Sequence, residues 1–424
     1  MRTLTRLICD DMRPALGVTE PGAVAFAVAT AREHVRGELR LIRVVLNSGM
    51  YKNGFTCGIP HGREGGNEYA AALGYVAAMP SRGLECLDGV RPADGRRARE
   101  IVRGGQVWVG AGEISSRIYI RAEITTSEGS ASVTIEDSHT NVTKITENDC
   151  VVYEKDANSR AGGSADPTPL IHRYTLRQLI RYVETVPVGE IQFILRAYDV
   201  NMALFHQALG SKRTTLTHYL FEKNGSEVIS EDEQLTASLL CNGAIEARVL
   251  GFSRPAMSIT GSGAHGIIAT LPLYGVQHIN HYADERLLRA TALSYLVCMY
   301  IKEYSGRLSA FCGCAIAAGT GMACGLAWMK GGHCKELTLV IRNMASSITG
   351  MICDGGNHGC TLKGVVAVDA AFQAVGMALS GIAISSKHGI NGKTPEETMR
   401  NMGRIASPGM IGTEDVVMDI LQSK

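Results

Sequence analysis

Residues 118–154, IYIRAEITTSEGSASVTIEDSHTNVTKITENDCVVYE, decide the fold class. Short runs rich in Val, Ile, Thr and Tyr are separated by turn residues, the pattern of a meander of antiparallel strands. Toward the N-terminus, 67–79 reads as a helix ending at Pro80, 47–64 as a glycine-rich loop and 39–46 as an alternating strand. Further back, 14–35 reads as a helix with Pro21 in its first turn. Toward the C-terminus, 158–169 is small and polar, a linker or loop. Beyond it, 175–184, 188–209 and 231–249 carry helical periodicity, and the remainder is helix after helix with glycine-rich breaks. The expected class is α+β, with an antiparallel sheet in the N-terminal and middle part and a mostly helical C-terminal lobe. At 424 residues the chain exceeds one ordinary core. The expected division is an N-terminal helix (1–36) packing on the catalytic lobe, an α+β lobe (37–230), and a helical lobe (231–424) that carries the chemistry.

With 42 basic and 41 acidic residues, the net charge of +1 supplies no general attraction to nucleic acid or to an anionic membrane. A small molecule is therefore the expected partner, and a homo-oligomer is compatible with these features. Two apolar stretches, 308–329 and 364–385, are dominated by Ala, Gly, Ser, Thr and Cys, and Asp369 interrupts the second, so both read as tightly packed core helices and not as membrane spans. The N-terminus reaches Asp10 and Asp11 before any adequate apolar run, which argues against a secretory signal and for a cytoplasmic location. In a reducing compartment the 12 cysteines are not expected to form disulfides. Core thiols, metal ligands and catalysis remain.

Cys353 and Cys360 flank DGGNHG, whose glycines let the backbone curl around a bulky group, and Cys312 lies upstream in RLSAFCGC. Three thiolates converging on one site suit an iron-sulfur cluster, and if three of four irons are so held, one stays open as a Lewis acid. The spacing by itself fits zinc or plain burial as well. Cys298, Cys314 and Cys324 stand in Ala- and Gly-rich helical text and read as core. Cys57 stands apart, in the loop NGFTCGIP.

Seven motifs carry a resemblance to a known family: PALGVTEP, KNGFTCGIP, SHTNVTKI, TGSGAHGIIATLP, RLSAFC, GMACGLAW and GMICDGGNHGC, in that order along nearly the full chain. The sequence resembles the iron-sulfur L-cysteine desulfidases, relatives of the alpha chain of bacterial iron-sulfur L-serine dehydratase. The resemblance implies a largely helical catalytic domain and a 4Fe-4S cluster held by Cys312, Cys353 and Cys360. It also implies an oxygen-sensitive lyase that eliminates hydrogen sulfide or water, with deamination, from a small amino acid or related acid. Sulfur handling without deamination, and a non-catalytic descendant, are the alternatives. One departure bears on mechanism: the family's first motif reads Gly-Cys-Thr-Glu-Pro, with the cysteine as proton acceptor, and here that position is Val18. A valine cannot accept a proton, so the elimination needs another base.

His265, which stands with Ala264 where the desulfidases tend to carry an amide pair, is the first candidate; His139, Lys363 and Lys302 are the others. Backbone N–H groups of Gly261, Ser262 and Gly263 are expected to cradle a carboxylate ahead of a helix. Lys52, Asn53 and Asn141 are expected substrate contacts or ordinary turn residues. Glu20, close to Val18, either favours the start of its helix or projects into the site.

Overall fold

The computed structural model describes residues 2–60, 64–156, 168–306 and 308–424. Its first part runs α1 (Arg2–Asp11), β1 (Arg13–Leu16), α2 (Thr19–Arg32), β2 (Leu39–Leu46), α3 (Ser48–Asn53), α4 (Asn67–Val76), α5 (Pro92–Arg103) and β3 (Val107–Ala111). The meander follows as β4 (Tyr119–Thr126), β5 (Ser130–Glu136), β6 (Val142–Glu147) and β7 (Cys150–Glu154). The second part contains α6 (Leu176–Thr185), α7 (Leu195–Leu209), α8 (Thr215–Lys223), α9 (Glu233–Val249), β8 (Pro255–Ser258), α10 (Gly263–Ile279) and α11 (Asp284–Ser305). It continues with α12 (Gly319–Met329), α13 (Cys334–Ile348), α14 (Gly359–Leu379), α15 (Pro395–Arg404) and α16 (Ile411–Gln422). The class is α+β, as the sequence implies.

The six-stranded sheet has the order β3-β2-β4-β5-β6-β7. The β4–β7 meander is antiparallel throughout, while β3 adds to β2 in parallel. A parallel pair requires a long crossover, which α3, α4 and α5 supply. Alternation along β4 puts Ile120, Ala122 and Ile124 in the core. There they meet α2, a helix with twelve of its fourteen residues buried. Val24 and Val28, both fully buried, each contribute roughly 1.5–3 kcal/mol of hydrophobic stabilisation. Gly74 lets α4 close onto α2, since a Cβ there would sit 2.5 Å from the Ala25 carbonyl oxygen.

Three boundaries differ from the sequence reading. The helix expected from residue 14 starts at Thr19, because Arg13–Leu16 is drawn into an antiparallel ladder with β8. Part of the expected loop 47–64 is the short helix α3. The expected helix 188–209 is a single turn (Val188–Ile191), a 3₁₀ turn (Gln192–Ile194) and α7. The polar stretch 158–169 falls largely outside the described residues.

The lobes also divide differently. Helix α2, expected on the catalytic lobe, lies across the sheet instead. The N-terminal contacts with the helical half are made by β1 and by α1, whose Thr5 hydroxyl is 2.8 Å from the Tyr182 hydroxyl. Helices α6–α8, placed by sequence in the α+β lobe, pack on α9 and α11. Hydrophobic faces explain this: α6 directs Leu176, Leu179, Ile180 and Val183 inward. One described helix, α14, is long and apolar enough to cross a membrane. It packs on α9, α12 and α13 along one side only, with Leu362, Val366 and Met377 on its exposed side.

Candidate active site

A cavity of about 680 Å³, mouth included, lies where the two parts meet. The sheet side contributes Val18 and Glu20 from the start of α2, Asn53 from α3 and His139 from the β5–β6 turn. The helical side contributes Arg248, the 260–265 segment, Lys302, and the thiols of Cys312, Cys314, Cys353 and Cys360.

A small piece of sheet brings the cysteines together. Phe311 and Ile352 form an antiparallel bridge, with the Cys312 N–H donating to Met351 O and the Cys353 N–H to Ala310 O, each at 2.8 Å. A π-helical turn, Cys314–Ala318, follows at once, a distortion frequent at functional sites. The loop to Cys360 bends tightly under the sheet side. Gly355 has φ +113°, and a Cβ on it would lie 2.3 Å from Lys52 O; one on Gly356 would lie 3.0 Å from Val18 Cγ1. The loop is braced by an Asp354–Lys363 ion pair and by His358, whose Nε2 is 2.7 Å from Glu246 Oε1.

The hydrogen bond from Cys314, opposed by burial, pulls the Cys312 thiol down to about 7, whereas burial pushes Cys353 up and Cys360 up to about 12. Among the described residues no group of three or more His, Cys, Asp or Glu side chains closes into a site for a single metal ion. A lone zinc holds thiolates about 2.3 Å from one centre, and so within about 4 Å of each other. A cluster offering a separate iron to each thiolate asks for a wider ring, and the three thiols that line this one cavity are the donor type such a cluster takes.

His265 is not in a loop but in the first turn of α10, and it is buried. Its Nδ1 lies 2.5 Å from Thr260 Oγ1, which itself donates to Ile259 O. With that hydroxyl proton committed, Nδ1 carries the imidazole proton and Nε2 is left with its lone pair. Nε2 faces the cavity beside Gly313, where a Cβ would come within 2.8 Å of it. Burial first, then the charges of Lys302 and Arg248, hold the His265 pKa well below the usual imidazole range, so the ring is neutral at pH 7. Thr260 has φ +52°, and its N–H donates 2.5 Å to Asp11 Oδ2, so α1 pins the residue that orients His265.

Other candidates separate clearly. His139 lines the cavity, with Nε2 3.9 Å from Glu20 Oε1, and Glu20 also accepts from Asn53 Nδ2 at 2.9 Å. Lys302 donates to Ser309 Oγ at 3.2 Å. Lys363 lines the cavity, but although burial lowers its pKa, the Asp354 contact and nearby thiols outweigh that and hold it at about 12, a poor setting for a base. Lys52 points away into a buried pair with Glu414. Asn141 closes its own turn, donating to Glu136 O and accepting from Lys155. Gly261 and Ser262 line the cavity, but the Ser262 N–H is already given to Ile259 O, and Gly263 lies behind them against Arg248. Cys57 is a buried thiol pushed up to about 12 by burial. Cys314, read as core, borders the site. Arg248 was missed; its signal is a lone guanidinium in the otherwise apolar run ARVLGF.

These features define a protein with a thiol-rich cavity between a sheet and a helical bundle. Residues 70–419 match the serine dehydratase alpha chain family, and the chain belongs to that family. Among its relatives are UPF0597 proteins. One from Clostridium botulinum (strain Langeland) is 38% identical over 99% of this chain and 98% of its own. Others from Caldanaerobacter subterraneus subsp. tengcongensis and Geobacter sulfurreducens are each 34% identical over 99% of this chain, covering 98% and 97% of their own.

Proposed function

We propose that the protein is an iron-sulfur-dependent lyase that removes hydrogen sulfide or water from a small amino acid, with release of ammonia and a keto acid. The observation that carries this reading is the meeting of Cys312, Cys353 and Cys360 around one cavity that His265 also lines. Those three thiols would hold a 4Fe-4S cluster, which when bound supplies a Lewis-acidic iron to neutralise the leaving thiolate or hydroxide.

The chain's own residues supply the rest. His265 Nε2 takes the substrate α-proton, with Nδ1–H held on Thr260 so that the lone pair keeps its direction. Lys302 and Arg248 disfavour a second proton on His265 before substrate enters. Elimination then leaves an enamine, which hydrolyses to keto acid and ammonia. Glu20, fixed by Thr19 and Asn53, stands opposite as an acceptor for the substrate ammonium. Val18 takes the place of the family's cysteine, so the proton acceptor has moved from the sheet side of the cavity to α10.

The test is anaerobic purification followed by incubation with L-cysteine and L-serine. Equal amounts of keto acid and ammonia are expected from at least one of them; cluster-loaded protein that yields neither product from either amino acid contradicts the reading.

A further inference from the structure

Arg248 is buried at the end of α9 and lines the cavity, yet its Nε has no hydrogen-bond partner, and among the described residues it has no carboxylate within ion-pair distance. Its neighbour Glu246 is fully engaged elsewhere. A buried cation without an anion is costly unless a ligand completes it. The start of α10 lies directly against this guanidinium: a Cβ on Gly263 would fall 2.8 Å from Arg248 Nε. The N–H groups of Gly263, Ala264 and His265 precede the first helical bond, which Gly266 donates to Ser262. Ala264 and His265 at the start of α10 line the cavity together with Arg248, while Gly263 packs behind them against Nε; no partner for this guanidinium is found among the described residues.

We propose that Arg248, together with the first turn of α10, anchors the α-carboxylate of the substrate and so restricts the site to free α-amino or α-keto acids. The inference rests on the lyase reading above and adds to it the group that orients the α-carbon toward His265. A carboxylate held here takes charge-assisted bonds from Arg248, while its amino group faces Glu20. Amides and peptide-linked residues lack the charge and leave the guanidinium unpaired, which is the basis for rejecting them.

Calorimetry of the cluster-loaded protein under anaerobic conditions tests this with L-alanine, which has no β-leaving group and is not consumed, and with L-alaninamide. Wild type is expected to bind L-alanine at least tenfold more tightly than the amide, by the loss of one charged partner. Arg248→Gln should weaken L-alanine by about thirtyfold or more and abolish the preference, with Arg248→Lys in between. The wild-type comparison needs no variant and therefore survives a misfolded Arg248→Gln protein. Wild type without preference for the carboxylate, wild type binding neither ligand, or Arg248→Gln binding L-alanine as wild type does, each overturns the proposal. The two readings fail separately. Arg248-dependent L-alanine binding with no keto acid from L-cysteine or L-serine defeats the lyase reading alone, whereas keto acid formed at unchanged KM in Arg248→Gln defeats the anchor alone.

Discussion

Glu246 and Arg248 stand two residues apart at the end of α9, and their surroundings are opposites. The Glu246 carboxylate, fully buried, takes hydrogen bonds from Leu216 N–H, Thr217 N–H, the Thr217 hydroxyl and His358, so its region is closed and complete. Arg248 lines the cavity without a carboxylate partner among the described residues, its Nε unmet against Gly263, next to a His265 that lines the same space. The difference is one of satisfaction: the buried Glu246 charge is fully surrounded by donors, whereas the buried Arg248 charge is not matched by an anion among the described residues. Substitutions in the closed region should cost stability, and those in the open region should cost function.

The largest effect belongs to the open region. His265→Asn should lower kcat for keto acid formation by about 10²–10⁴-fold, the usual worth of a general base, with iron content and unfolding midpoint unchanged. A variant that retains near-wild-type turnover moves the base elsewhere, with His139 the next to test.

In the closed region, Glu246→Gln removes the charge that four donors converge on and should lower stability by about 3 kcal/mol, read as a reduced denaturant midpoint. Arg248→Gln, which deletes an unpaired buried charge, should leave stability equal or raised. If both variants lose stability alike, the contrast between the regions disappears.

The same contrast has a pH signature. Although burial raises the Glu246 carboxyl, its bonds from Thr217, His358 and Leu216 outweigh that and hold the pKa below 4.5. A depressed carboxyl stabilises the fold fully above its unfolded pKa and loses that contribution as pH falls through its folded value. The stability gap between wild type and Glu246→Gln should therefore be constant above about pH 5 and shrink at lower pH. A gap that does not change into strong acid would mean the carboxylate is not held by these donors.

The smallest effect is a gain. Val18 lines the cavity across from His265, so Val18→Cys should add a second proton acceptor and raise sulfide release from L-cysteine severalfold, measured as sulfide per minute. No change would show that α10 alone supplies the base.

Much of this was legible in the sequence. The strand meander announced itself by turn spacing, and the three cysteines by their motifs. What escaped was set by tertiary contact. Pro14 and Ala15 read as the first residues of a helix, but β8 pairs with them, because local periodicity carries no information about a distant strand. Lys52 and Asn53 are adjacent in one motif, but α3 turns Asn53 into the cavity and Lys52 toward Glu414 on α16. Arg248 escaped for a related reason: a single charge in helical text has no meaning until its partners, or their absence, are visible.

On the lyase reading proposed above, three thiols from two distant segments hold one cluster. Iron and acid-labile sulfide measured in anaerobically purified wild type and in Cys312→Ala, Cys353→Ala and Cys360→Ala test it most directly. Close to four of each are expected per wild-type chain, with loss of both in every variant that remains folded; full iron and sulfide retained in any one of the three refutes a shared cluster.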